Sequence, residues 1–184
     1  MDRLNPNSRK DAFGSKINRT HRPILAYGIP WLSILLGSLS PLLPVIAPAP
    51  VVPPVAFIML VAWQLVRPGI LPLWAGLPLG LFDDLYSGQP IGSAVVLFSC
   101  ALLATDLFEG RFPYRNFLIN WFNAAVLITT YIVLATLFSG AKLTMLQMTV
   151  ILPQIVLSIA VFPLAAWLVA MLDRLRLMRS RRVA

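Results

Sequence analysis

Charge is what this sequence lacks most. Only 12% of its 184 residues are charged, while 58% are hydrophobic. A soluble domain of this size carries about 25% charged residues. Water is therefore a minor solvent for this chain, and its surplus apolar surface must face lipid or another membrane protein. Cys100 is the single cysteine, which excludes an internal disulfide and reads as a buried small hydrophobe. His21 is the single histidine, so neither a zinc centre nor a Ser-His-Asp triad can be assembled. Alternating polarity over strand-length segments is missing as well, which excludes a transmembrane barrel. No polar stretch is long enough for a second domain.

The basic residues that are present sit at the ends. Six precede Pro23 (Arg3, Arg9, Lys10, Lys16, Arg19 and Arg22), and five follow Leu172 (Arg174, Arg176, Arg179, Arg181 and Arg182). Clusters of this kind beside apolar spans act as topology signals and as ligands for anionic lipid headgroups. No nucleic-acid-binding motif accompanies the formal charge of +8, so nucleic acid is not an expected partner.

No Asp, Glu, His, Lys or Arg occurs in the 44 positions between Arg22 and Arg67. That length accommodates two helices of about 20 residues with a turn between them. Pro41, Pro44, Pro48, Pro50, Pro53 and Pro54 mark the turn, since such density cannot continue a helix. Spans are expected at 24–45, 52–66, 70–82, 91–107, 117–138 and 145–172. Asp83 and Asp84 are expected to interrupt the short third span, and Asp106, Glu109, Arg111 and Arg115 to mark the loop after the fourth. Kinks at Pro153 and Pro163, or tilting, would absorb the excess length of the sixth. The five tryptophans read as interfacial anchors. Asn120, Asn123, Thr129 and Thr130 read as interhelical hydrogen-bonding groups.

In lipid only self-satisfied backbones span, so the expected fold is an all-α integral membrane protein, a six-helix transmembrane bundle. Its expected organisation is a basic cytoplasmic tail at 1–22, a membrane domain at 23–173 and a second basic cytoplasmic tail at 174–184. With both termini inside, the cytoplasmic segments hold fourteen Lys and Arg and the outer loops hold only Lys142. That asymmetry places Asp83 and Asp84 on the outer side. Ala47-Pro48-Ala49 has the look of a signal-peptidase site, but the uncharged run before it is too long and Pro50 follows, so the first span is expected to be retained.

The residues that could carry function concentrate in one segment: Gly76, Pro78, Gly80, Asp83, Asp84, Gly88, Pro90 and Gly92. Gly76 and Gly80, four apart, permit close helix approach. An acid at membrane depth is costly to keep unless it is used. Adjacent carboxylates point about 100° apart on a helix, so one is expected to face the bundle and the other outer water. No second acidic turn follows, because positions 87 and 88 are Ser and Gly. A Mg²⁺-dependent transferase is therefore disfavoured. No catalytic residue, metal ligand or cofactor site is expected. Discontinuous Gly/Pro-rich helices leave open a small-molecule or lipid-intermediate binding or transport protein with its site near Asp84.

The segment Gly80-Leu81-Phe82-Asp83-Asp84-Leu85-Tyr86-Ser87-Gly88-Gln89-Pro90-Ile91-Gly92 resembles the signature of the rod shape-determining protein MreD family. On that match Asp84 takes the family's acidic position and Gly80, Gly88 and Gly92 its glycines, as motif or partner-contact residues. Asp83, Gly76 and Pro90 are auxiliary. The resemblance implies a non-enzymatic inner-membrane subunit of the bacterial cell-elongation machinery that binds MreC. It also implies indirect links to the actin-like filament protein, a penicillin-binding transpeptidase and a glycan polymerase, in support of cell shape and lateral peptidoglycan synthesis. A fold similar to the substrate-binding membrane subunits of vitamin transporters is implied too.

Overall fold

The computed structural model describes residues 23–42, 52–111, 116–140 and 145–176. The basic tails before Pro23 and after Arg176, the Ala47-Pro48-Ala49 segment, Arg115 and Lys142 lie outside the described residues. Among those described, the chain forms six α-helices and no strand: α1 (Pro23–Ser38), α2 (Val55–Val66), α3 (Gly76–Ser87), α4 (Ser93–Arg111), α5 (Phe117–Phe138) and α6 (Met145–Arg176). Short 3₁₀ turns at Ser40–Leu42 and Leu73–Ala75 end α1 and lead into α3.

Helix α2 is the centre. Its sequence, VAFIMLVAWQLV, has no charge and no polar face, and Ala56 through Leu65 are all buried. A helix apolar on every side is stable only when surrounded. Here α1, α4, α5 and α6 surround it. Phe57 stacks on Tyr131 of α5 at 4.1 Å between ring centres and lies 5.7 Å from Phe98 of α4. Trp63, expected as an interfacial anchor, is fully buried instead, and its indole N–H donates to Ser33 Oγ at 2.8 Å. That bond satisfies the one polar atom that would oppose burial.

Contacts along the helices fix their directions. Gly37 abuts the Ala56 backbone while Ser33 meets Trp63, so α1 and α2 are antiparallel. Gly76 lies on Ser99 and Gly80 on Val95, so α3 and α4 are antiparallel too. Gln154 Nε2 donates to the Val52 carbonyl at 3.0 Å, and Arg67 Nε meets Asp173 Oδ2 at 3.0 Å, so α2 and α6 run parallel. Ser38, Ala56, Asp83 and Asp84 therefore share one end of the bundle. Arg67, Arg111, Asp173 and Arg174 share the other.

Helices α4, α5 and the 151–175 part of α6 are long and apolar enough to cross a membrane. The other three are short: α1 has 16 residues, and α2 and α3 have 12 each. Twelve residues rise only about 18 Å, against a hydrocarbon core of about 30 Å. Helix α6 is assigned as continuous through Pro153 and Pro163 over 32 residues.

Several boundaries differ from the sequence expectation. Asp83 and Asp84 do not end the third helix; α3 runs through both to Ser87. Their carboxylates are satisfied by neighbouring elements, so the helix has no reason to stop there. Its start shifts to Gly76 because Pro72 and the following 3₁₀ turn occupy the stretch before it. Asp106, Glu109 and Arg111 belong to the last turns of α4 rather than to a loop. Cys100 is exposed on α4, not buried. Thr129 and Thr130 bond the carbonyls of Ala125 and Val126 within α5 instead of reaching another helix. A hydroxyl on a helix finds its own i−4 carbonyl at lower entropic cost than a partner across an interface.

The Arg67–Asp173 pair clasps the end of α2 to α6, with nearly half of the Arg67 side chain open to the surroundings. Exposed pairs of this kind couple by about 1 kcal/mol or less. A double-mutant cycle of Arg67→Gln and Asp173→Asn, read by unfolding in detergent, should return a coupling in that range; a value several-fold larger would show that the pair is effectively buried.

The glycine–aspartate hairpin as candidate functional site

The α3–α4 hairpin holds every residue singled out in the motif. Its first half is a close helix contact. An ideal Cβ on Gly76 would stand 2.7 Å from Ser99 Oγ and 2.8 Å from the Ser99 Cα, and one on Gly80 would stand 2.5 Å from the Val95 Cα. Only hydrogen fits at these positions, and the backbones of α3 and α4 meet there. The small residues thus serve a contact inside the chain, with α4 as the partner.

Its second half is a cap supplied from the neighbouring helix. The last turn of α3 ends on Gly88 at φ +69°, and Gly92 has φ +99°. Both lie in the left-handed region that side chains disfavour, which explains glycine at each place. Pro90 sits exposed between them, and the Ser93 N–H bonds back to its carbonyl at 3.0 Å. This turn returns the chain so that the first N–H groups of α4 face the Asp84 carboxylate. Oδ2 accepts from Gly92 N at 2.7 Å, and Oδ1 accepts from Ala94 N at 2.9 Å and Ser93 Oγ at 3.0 Å. The first N–H groups of a helix have no partner within it, and its N-terminus carries partial positive charge. Asp84, 4% exposed, satisfies both needs without leaving α3.

Asp83 is buried as well, at 6% exposure, so neither aspartate faces outer water as expected. One turns toward α4. The other interacts with the side chains of Ser38 on α1 and Tyr131 on α5. Tyr131 also interacts with Gln89, whose Oε1 lies 3.1 Å from Ser93 Oγ. A continuous polar network therefore joins α1, α3, α4 and α5 at this end of the bundle. Buried polar groups are tolerated when each has partners, and a satisfied network fixes one arrangement of the helices.

The structure thus brings together Gly76, Gly80, Asp83, Asp84, Gly88, Pro90 and Gly92, and adds Ser38, Gln89, Ser93 and Tyr131. Ser93 follows the motif directly and has the identity of a helix-capping residue, so a local signal existed. Nothing local marks Ser38 or Tyr131, which lie 45 and 48 positions from Asp83 along the chain. Among the described residues, no three His, Cys, Asp or Glu side chains are grouped to hold a metal ion.

No curated protein and no solved structure matches this chain. The family model described as rod shape-determining protein MreD matches residues 22–175, a stretch that contains all six helices up to the last turn of α6 and the whole glycine–aspartate hairpin. The chain therefore belongs to the MreD family and is a rod shape-determining membrane protein.

Proposed function

We propose that this chain is a non-enzymatic, six-span subunit of the inner membrane, with both termini in the cytoplasm, that binds MreC within the bacterial cell-elongation complex. One observation carries this reading: the motif is consumed in making a rigid hairpin. Both Asp84 oxygens are occupied by the α4 N-terminus, and Gly80 lies against Val95. A carboxylate so engaged has little capacity left for a small ligand, which weighs against a binding or transport site at Asp84. The same hairpin presents Leu77, Leu81 and Leu85 outward at one-turn spacing, with Val96 and Leu103 exposed on α4. An outward apolar stripe of this spacing suits the single transmembrane helix of MreC. In this reading Gly80, Asp84, Gly88 and Gly92, with Gly76, Asp83 and Pro90, shape the contact surface rather than form it. Links to the filament protein, the transpeptidase and the polymerase then run through MreC to lateral peptidoglycan synthesis.

Photo-crosslinkers placed in cells at Leu81 and Leu85 should capture MreC, while placement at Trp167 on α6 should not. Depletion should convert rods to spheres. Capture from Trp167 alone would refute the assignment of the face. A ligand that co-purifies in stoichiometric amount and is lost in Asp84→Asn would favour the binding-protein alternative. Reporter fusions should place the connection after α5 outside and both termini inside.

A further inference from the structure

A lateral groove of about 660 Å³ opens between α1, α2 and α6, away from the glycine–aspartate hairpin. Ile29 and Leu36 line it along α1, Ser40 in the 3₁₀ turn after it, Met59 on α2, and Leu168 and Leu172 on α6. From residue 29 to residue 40 it extends about 16 Å at helical rise. It runs beside α2 from the Val55 end to the Arg67 end, an apolar length that one acyl chain can fill.

The position of the groove in the bundle adds a charge argument. Ser33 is level with Trp63, so Ile29, one turn further along α1, is level with Arg67. Leu172 on the opposite wall immediately precedes Asp173 and Arg174, at the same level through the Arg67–Asp173 pair. The groove therefore ends beside Arg67, which is half open, and Arg174, which is exposed. Arg176, Arg179, Arg181 and Arg182 follow directly in sequence. The outer end, at Ser40 and Val55, has no basic residue among those described.

We propose that this groove seats one acyl chain of an anionic phospholipid, with the headgroup phosphate held at the Arg67–Arg174 end. The apolar walls supply the chain contact, and the arginines select a negative headgroup over a zwitterionic one. The site needs only that this end of the bundle lie at a headgroup layer, which the proposed six-span arrangement provides.

The test is native mass spectrometry of the full chain, released from nanodiscs of equal phosphatidylglycerol and phosphatidylethanolamine. Wild type should retain a phosphatidylglycerol adduct about tenfold more often than a phosphatidylethanolamine adduct. Leu36→Trp, which fills the groove from an exposed position, should abolish the adduct. Arg174→Glu should keep lipid binding but bring the preference close to parity. Leu32→Trp stands in for Leu36→Trp where the latter lowers the thermal transition of the protein. Equal retention of the two lipids by wild type, or an adduct that survives both groove-filling variants, would overturn the proposal. So would a photo-crosslinker at Leu36 that captures polypeptide instead of lipid. Such failures alongside intact topology and MreC capture would leave the cell-elongation reading standing.

Discussion

Gly80→Val is expected to remove most of the folded protein from the membrane, because the substitution has nowhere to go. Even the first carbon of a side chain at Gly80 would stand 2.5 Å from both the Val95 N and Cα and 2.7 Å from the Ala94 carbonyl carbon. These are backbone atoms of α4, which cannot rotate away as a side-chain tip would. Overpacking typically costs 1–3 kcal/mol and sometimes more, and a rigid obstacle places this case at or above about 3 kcal/mol. The two branches of valine add to that first collision. Separating α3 from α4 also draws Asp84 away from the N–H groups of Gly92 and Ala94, so the packing loss and the cap loss arrive together. Gly110→Ala is the matching control, since a Cβ there meets nothing within 4 Å. Steady-state membrane levels and thermal unfolding in detergent should separate the two variants clearly. Near-normal levels and stability for Gly80→Val would mean that α3 and α4 do not meet at these residues.

Asp84→Ala should destabilise by about 2–4 kcal/mol, through loss of a charge-assisted cap and the stranding of buried donors. Two amides, of Gly92 and Ala94, lose their acceptor at once, while the Ser93 hydroxyl keeps Gln89 Oε1 at 3.1 Å as its acceptor. Asp84→Asn should be intermediate, because one amide oxygen still accepts while the NH₂ group faces a donor. Asp83→Asn should be milder than Asp84→Ala, since Ser38 and Tyr131 are hydroxyls that can donate or accept. Hydrogen exchange at Gly92 and Ala94 supplies the readout specific to the cap. Those amides should exchange much faster in Asp84→Ala and remain protected in Asp83→Asn. Equal protection in the two variants would assign the capping role elsewhere. This pair of results also bears on the proposed function: if the hairpin is the MreC contact, capture of MreC should fall with the stability of its cap.

Much of this arrangement was legible in the residues, and the reasons are local. The uncharged run from residue 23 to 66, split by prolines, predicted two helices, and α1 and α2 lie within it. Gly76 and Gly80 at four-residue spacing predicted a close helix contact, and that contact is with α4. The expected spans at 70–82 and 91–107 left a connection between them, and the structure forms a turn there, with Gly88 at φ +69° and, slightly beyond the expected end, Gly92 at φ +99°. The aspartates were harder. A carboxylate in an apolar segment reads as a break or as a water-facing group because its partners are invisible from its own neighbourhood. Burial of Asp83 depends on Ser38 and Tyr131, contributed by α1 and α5. The same holds for Trp63, whose burial rests on Ser33 thirty positions earlier, and for Cys100, whose exposed face on α4 no periodicity in that helix discloses.

By itself, then, the sequence determined that the chain is a helical membrane protein, that its basic residues gather at its ends, and that one glycine–aspartate segment is its most specialised part. Hydropathy, proline density and charge position are properties of short stretches, so they can be read without knowing what packs against what. Only the tertiary structure decided what the two aspartates do. It turned Asp84 from an outward-facing charge into the cap of the next helix, and Asp83 into the junction of a buried network across four helices. It also opened the groove between α1 and α6, whose walls come from residues more than a hundred positions apart. Both outcomes depend on which helix lies beside which, and that follows from packing around α2, not from any local pattern.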